Sequence, residues 1–310
     1  MDYLLLLGGF LVLILGGNWL LKAAVALSLR LGIPKIVIGM TVVSLATSAP
    51  ELIVSLNSAL NGHADIALGN IIGSNIANLG LVLGIVTIIS TISVQKTFYV
   101  IDWPMMMFSS ILLYLFLAYD GILERYEGAI LFTLLIVFII YLFKSDKTAV
   151  VDEMPEDEVE LPIHTTLFFF LLGGVGLWGG SELLINGAIN LARDFEVSER
   201  IIGITIISIG TSVPELAASL IAVIKKEKGI SIGNLLGSNM FNILGVLGIT
   251  SMITPIQVED QGLLTFDILW MLYFAVIILP LVFTPGKMQL GWKEGLIFLG
   301  SYLVFIILLL

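Results

Sequence analysis

Cysteine is absent from the 310 residues, and histidine occurs only twice. Disulfides, thiolate metal sites and cysteine nucleophiles are therefore excluded. Two histidines are too few for a typical zinc or haem centre. Charge is scarce as well: charged residues make up 12% of the chain and hydrophobic residues 58%, against about 25% and 45–50% in an ordinary soluble domain. A soluble globule of this size cannot hide that much apolar surface, so the composition is that of an integral membrane protein, not of a disordered chain or a small secreted domain. Lys and Arg number 14 against 24 Asp and Glu, which leaves no basic footprint for nucleic acid.

What the chain has in abundance is long apolar segments. A spanning helix needs about 20 such residues. Runs cut at charge clusters and Gly/Pro turns predict ten helices, near 3–27, 36–60, 66–92, 98–118, 126–143, 164–191, 200–224, 230–252, 263–283 and 291–309. The chain begins Met1-Asp2-Tyr3 with no basic stretch, so the first segment is expected to be a retained helix. With ten spans both termini share one side. Connections on that side carry Arg125, Arg193 and Arg200, whereas the other side carries Arg30, Lys35, Lys96, Lys144, Lys147, Lys225, Lys226, Lys228, Lys287 and Lys293. Three against ten places the termini outside the cytoplasm, in a plasma (cell inner) membrane protein. The run Asp152, Glu153, Glu156, Asp157, Glu158 and Glu160 lies between spans five and six. It reads as a solvated cytoplasmic linker, with a cation-sensing segment as the alternative.

The two halves repeat. With a shift of 164 residues, 17 of the 40 positions in 39–78 are identical to those in 203–242. The identities include the polar residues Thr41, Ser44, Thr47, Ser48, Glu51, Ser55, Asn70, Ser74, Asn75 and Asn78 in order, which shared apolar bias does not produce. The expected organisation is a first five-helix repeat over 1–143, an acidic linker over 144–163 and a second repeat over 164–310. Five is odd, so the second unit crosses in the opposite sense. The predicted fold class is an all-α polytopic membrane protein, ten transmembrane helices arranged as two inverted five-helix repeats, an arrangement of secondary transporters.

Glu51 and Glu215 stand near the middle of apolar spans, where a charge costs about 2.5–3.5 kcal/mol on insertion scales. Two of them at equivalent places point to an ion or substrate site; neutral acids serving helix packing are the bland alternative. Ser44, Thr47, Ser48, Glu51 and Ser55 fall at helical steps of three and four, and Ser208, Thr211, Ser212, Glu215 and Ser219 repeat that face. Pro50 and Pro214 deprive the carbonyls of Ala46 and Gly210 of their helical donors. Carboxylate, hydroxyl and carbonyl oxygens together suit a hard cation such as calcium or sodium. Asn70, Ser74 and Asn78, matched by Asn234, Ser238 and Asn242, share a face of spans three and eight. Gly69, Gly73, Gly233 and Gly237 form small-xxx-small pairs expected to let helices pack closely. Asn75 and Asn239 are expected to bond to neighbouring helices. His63, His164, Trp103, Trp270 and Trp292 read as terminal, interfacial or packing residues, and Asp102 and Asp267 as flanking residues without a role.

These features resemble the calcium/cation antiporter superfamily, in particular its prokaryotic sodium/calcium exchanger branch. The residues that carry the resemblance are the paired stretches ATSAPE and GTSVPE and the paired GNIIGSN and GNLLGSN. It covers almost the whole chain. It implies that Glu51 and Glu215 are central calcium ligands that also serve sodium, with Thr47 and Thr211 lending backbone carbonyls. Ser48, Ser212, Ser74 and Ser238 would lend side-chain oxygens to sodium, Ser44 and Ser208 stand where relatives offer a carbonyl, and Asn78 matches a central polar residue. Asn242 departs from relatives that carry Asp there, which leaves two carboxylates and argues against potassium dependence.

The resemblance implies sodium-for-calcium antiport by alternating access, electrogenic at three sodium ions per calcium. Helices one and six would slide over an inner bundle, their passage eased by Gly16, Gly17, Gly173, Gly174, Gly176, Gly179 and Gly180. No cofactor beyond the transported Ca²⁺ and Na⁺ is expected, nor a partner other than membrane lipids, and a monomer suffices. The alternative on the same fold is a proton-coupled calcium/cation exchanger in which a glutamate carries H⁺. A cation channel is a further class. An enzyme is not expected, because no Ser–His or metal-binding His arrangement accompanies the acids.

Overall fold

The computed structural model describes residues 2–145, 161–194, 208–284 and 288–309. The acidic run and the first part of the seventh predicted span, 200–207, lie outside these residues. Among the described residues, eight uninterrupted helices are long and apolar enough to cross a membrane. Six of them are Ala64–Ile89, Phe98–Asp120, Lys228–Ile253, Leu263–Phe283, Trp292–Leu309 and Arg125–Ser145. The remaining two, Asp2–Leu31 and Ile163–Asp194, are the longest. A ninth span is broken into Lys35–Thr47 and Ala49–Leu60. The break falls at Ser48, whose φ of −86° and ψ of 3° leave helical geometry just before Pro50. Ser212 repeats it at φ −89° and ψ 2° ahead of Pro214. Helix ends are set by local chemistry: Gly32, Gly62 and Gly121 adopt positive φ at the turns that follow helices, a conformation glycine takes without a Cβ clash.

Four two-residue strands close the loops. β1 (Ile92–Ser93) pairs antiparallel with β4 (Gln289–Leu290), and β2 (Ile122–Leu123) pairs with β3 (Ile256–Gln257). β1 and β3 occupy equivalent places in the two repeats, 164 residues apart, so each repeat's strand pairs with the opposite half. Pairing also fixes parity, because two strands of one sheet lie on the same membrane face only if an even number of crossings separates them. Between β2 and β3 the described residues contain three complete spans. The sequence predicts a further span there, over 200–224, of which Val213–Ile224 is the described end. The fold is an all-α, ten-span architecture of two inverted five-helix repeats, as the sequence predicted.

The chain divides into two compact units that follow a different partition from the repeat. One comprises 1–47 with 142–234, the other 48–141 with 235–310. In the first, Asp2–Leu31 and Ile163–Asp194 run against each other along their length. Their backbones touch through glycine: a Cβ on Gly173 would lie 2.5 Å from the Leu20 nitrogen, on Gly16 2.7 Å from that of Leu177, and on Gly180 2.7 Å from that of Leu13. Gly176 and Gly9 sit in the same seam. Gly17 meets the side chain of Ile221, Gly174 makes only ordinary contact and Gly179 faces open space, so four of the seven glycines singled out in the sequence form the close contact. In the second unit the core is built on Ile71, Ile72, Ile76, Phe98, Phe274 and Phe298, all fully buried. The cores of spans three and eight are 78% and 83% buried, against 22–39% for the other uninterrupted spans. That contrast makes these two helices interior and the others lipid-facing.

Candidate ion-binding site

In the second unit, Ala49–Leu60 packs against Ala64–Ala77 and against Phe241–Leu247. These three segments bury Ser48, Glu51, Ser74, Asn78, Ser238 and Asn242, each at most 3% exposed. Ser48 and Glu51 come from the broken helix. Asn78 opens a π-helical turn, Asn78–Val82, and Asn242 lies in its counterpart Phe241–Leu247. Such turns interrupt the regular i to i−4 ladder and are frequent at functional sites.

The amides of Asn78 and Asn242 are oriented by a pair of equivalent bonds. Asn78 Nδ2 donates to Asn239 Oδ1 at 3.2 Å, and Asn242 Nδ2 donates to Asn75 Oδ1 at 3.0 Å. Asn75 Nδ2 donates in turn to the Asn239 carbonyl at 3.2 Å, with Met271 Sδ and Met106 Sδ as weak sulfur acceptors for Asn75 and Asn239. Because both donor ends are engaged, the oxygens Oδ1 of Asn78 and Asn242 face the other way. Among the described residues these two oxygens and Ser48 Oγ are buried without a hydrogen-bond partner. Buried oxygens left so are costly, about 1–3 kcal/mol each, and few in native proteins. Oxygens of this kind are the donors that a hard cation takes. Asn75 and Asn239, expected from the sequence to bond to neighbouring helices, do so, and they also set the direction of the two neighbours that carry the free oxygens.

The first unit holds the remaining candidates. Ser44, Thr47, Ser212 and Glu215 are at most 1% exposed, and Thr211 is half-buried. Asn234 organises this group. Its carbonyl accepts from Ser44 Oγ at 3.0 Å, its Oδ1 from Thr47 Oγ1 at 3.2 Å, and its Nδ2 donates to Ser219 Oγ at 3.0 Å. In the second unit Asn70 Nδ2 makes the equivalent bond to Ser55 Oγ, also at 3.0 Å. Ser212 Oγ, like Ser48 Oγ, is buried without a partner among the described residues. The side chain of Ser208 lies outside them. No three His, Cys, Asp or Glu side chains come together among the described residues, so further donors to a cation have to be hydroxyl, amide or carbonyl oxygens.

The carbonyl that Pro214 frees has a partner that the repeat did not reveal. The Gly210 carbonyl, deprived of its helical donor by Pro214, accepts a hydrogen bond from Ser181 Oγ at 2.9 Å. Ser181 is buried on span six, and its counterpart in the first repeat is Gly17, so no duplicated signal marked it. Ser181→Ala leaves a buried carbonyl unsatisfied, at a cost of about 1–3 kcal/mol. We expect amide hydrogen exchange in 211–216 to rise by about tenfold in that variant and to return with Ser181→Thr, measured by mass spectrometry.

One sequence expectation needs correction. Close packing holds at Gly233, where a Cβ would collide with the Ile36 carbonyl, but Gly69 makes only ordinary contact with Leu263 and Gly73 meets nothing within 4 Å. Asp102 flanks the helix Trp103–Asp120, as expected, and is 3% exposed there. His63 and His164 are exposed at helix starts, Trp103 and Trp270 pack within the fold and Trp292 is exposed, as expected.

Known proteins share both the sequence and the fold. The chain matches the family described as sodium/calcium exchanger protein over residues 1–144 and 165–310. It is 36% identical to the putative antiporter CaxA of Alkalimonas amylolytica over 95% of this chain and 94% of that one. It is 34% identical to the inner membrane protein YrbG of Escherichia coli over 98% and 95%. A solved structure of the sodium-calcium exchanger NCX_Mj, soaked with zero Na⁺ and Ca²⁺, superposes with a TM-score of 0.82 at 26% identity, covering 99% of this chain and 98% of that one. With 290 residues matched in the two segments (144 and 146), this chain belongs to the sodium/calcium exchanger family.

Proposed function

We propose that the protein exchanges Na⁺ for Ca²⁺ across the cell inner membrane by alternating access, in the direction of calcium export. The reading rests on one observation: each repeat buries a glutamate three residues after a serine whose Oγ lacks a hydrogen-bond partner among the described residues, Ser48 before Glu51 and Ser212 before Glu215. A family of exchangers, not of enzymes, is the context in which that donor set is read.

In this proposal Glu51 and Glu215 are the carboxylate ligands of Ca²⁺ and also bind Na⁺. Thr47 and Thr211 contribute carbonyls. Ser48, Ser212, Ser74 and Ser238 contribute hydroxyl oxygens to Na⁺, and Ser44 and Ser208 contribute carbonyls. Asn78 and Asn242 present amide oxygens, which are neutral, so two carboxylates balance one Ca²⁺. Both ions use the same oxygens and therefore compete. Three Na⁺ leave one positive charge in excess, so each cycle moves net charge and responds to membrane potential by roughly 2.3 kcal/mol per 100 mV. The termini lie outside and the lysine-rich loops inside, with 144–163 as a cytoplasmic linker between the repeats. The transporting unit is a monomer.

The test is uptake of radioactive Ca²⁺ into proteoliposomes. Uptake is expected with outward-directed Na⁺, to vanish with equal Na⁺ on both sides, and to be absent under a pH gradient alone. Uptake driven by pH without Na⁺ would overturn sodium coupling and make one glutamate the proton carrier.

A further inference from the structure

Outside the oxygen-rich segments, the first unit carries two cavities that adjoin, through shared lining residues, as the two parts of one cleft. Its apolar part, about 470 Å³, is lined by residues that include Phe10, Leu13, Ile14, Leu216, Leu220 and Ile221. Its polar part, about 360 Å³, holds Lys22, Phe169 and Leu161. Asn18 and Lys225 line both. The cleft thus runs along Asp2–Leu31 and Val213–Ile224, with amide and ammonium groups at one end only. Phe10 and Ile224 are exposed at its rim, so it opens sideways toward the hydrocarbon.

We infer that this cleft is a binding site for a phospholipid with a net negative headgroup, its phosphate between Lys22 and Lys225 and one acyl chain in the apolar part. Three observations select this occupant. From Phe10 to Lys22 the helix rises about 18 Å at 1.5 Å per residue, close to half of a hydrocarbon core about 30 Å thick. A cleft one leaflet deep and walled mostly by apolar side chains fits an acyl chain. The charge at its mouth is positive: the acid that shares the polar part, Glu227, is engaged by Lys35 at 3.0 Å, while Lys22 Nζ lies over the Phe169 ring at 5.7 Å and neither Lys22 nor Lys225 has a carboxylate partner among the described residues. Lysine in this setting favours an anionic headgroup over a zwitterionic one. The lipid would bridge span one to the helix that carries Glu215, since Leu216 and Ala217 in the wall follow that residue directly. Occupancy then biases how span one sits on that helix. None of this depends on which ions are carried.

Native mass spectrometry of the purified full chain, given equal phosphatidylglycerol and phosphatidylcholine, tests the inference without a transport assay. Each lysine near a phosphate contributes about fivefold, so phosphatidylglycerol is expected to be retained about thirtyfold over phosphatidylcholine. The ratio should fall to near one in Lys22→Gln/Lys225→Gln. Ala217→Trp, which fills the apolar part and keeps both lysines, should lower phosphatidylglycerol retention at least about tenfold. Glycerol phosphate, which lacks acyl chains, should not displace the lipid. Equal retention of the two lipids by the native chain, a ratio unchanged in the double variant, or displacement by glycerol phosphate would each overturn it. The last would mean that the basic mouth binds phosphate without the cleft.

Discussion

Glutamine at Glu51 or at Glu215 is expected to abolish sodium-driven calcium uptake while leaving the ion-free protein at least as stable as the native one. The two effects have opposite signs because the carboxylates are fully buried. In the ion-free protein, holding charge at membrane depth costs about 2.5–3.5 kcal/mol on insertion scales, and a neutral amide of the same shape removes that cost. In the proposed site, the same charge would be the principal attraction for Ca²⁺. Disturbing groups that merely support a metal ligand costs about 10–100-fold in affinity, and losing the ligand itself is expected to cost no less. The readout that separates this from a folding defect is the calcium-dependent shift in melting temperature. Saturating ligand at 100 times its Kd stabilises a protein by about 2.7 kcal/mol. The native protein should show a shift of that order; each glutamine variant should melt at or above the native ion-free temperature and gain little from calcium. A variant that keeps native uptake would remove the glutamates from the site. A variant that melts far lower without ions would return them to a packing role.

The second large effect concerns the seam between Asp2–Leu31 and Ile163–Asp194. Gly173→Leu is expected to lower the melting temperature sharply and to eliminate transport, whereas Gly179→Leu should do neither. The atoms nearest a Cβ at Gly173 are the Leu20 nitrogen, Cα and Cβ at 2.5–2.8 Å. Backbone cannot rotate away as a side chain can, so the helices must separate along the seam and surrender the contacts at Gly16, Gly176 and Gly180 as well. Overpacking of a well-filled core costs about 1–3 kcal/mol, and this position lies toward the upper end because the obstacle is main chain. Gly179 shares the helix and the small-residue pattern but faces open space. A comparison of the two variants by thermal melting therefore isolates the seam from the general cost of losing a glycine. Equal melting of the two would show that the seam does not carry the pair.

Much of this architecture was legible because hydrophobic run length is a strong signal and because the repeat aligned polar residues in order. Among the described residues, span boundaries agree to within a few residues, and the paired breaks at Ser48 and Ser212 follow from Pro50 and Pro214. Other features were hidden for physical reasons. The π-helical turns at Asn78–Val82 and Phe241–Leu247 leave no mark in hydrophobic periodicity, since one extra residue in a turn shifts a face that is buried on every side. Ser181 escaped because its role exists in one repeat only. The functions of Asn75 and Asn239 were visible as polar repeats, but which amide donates and which presents its oxygen depends on side-chain geometry that spacing does not encode. Gly73 was misread because a small-xxx-small pattern records the absence of bulk and says nothing of what fills the space.

The crossed strand pairs bear on biogenesis. β1 is complete at Ser93, yet its partner β4 begins only at Gln289, and Ile92 meets Leu290 across 198 positions of chain (290 − 92). At about 5–20 residues per second of synthesis, roughly 10–40 s separate the emergence of the two partners from the ribosome. During that interval the loop after span three presents unpaired backbone, and two buried aromatic residues of the same unit, Phe274 and Phe298, arrive late. The unit that contains them cannot close until the final hairpin has left the insertion machinery. A nascent chain stalled before residue 288 would therefore remain protease-sensitive at the loop around Ser93, and release past residue 290 would protect it.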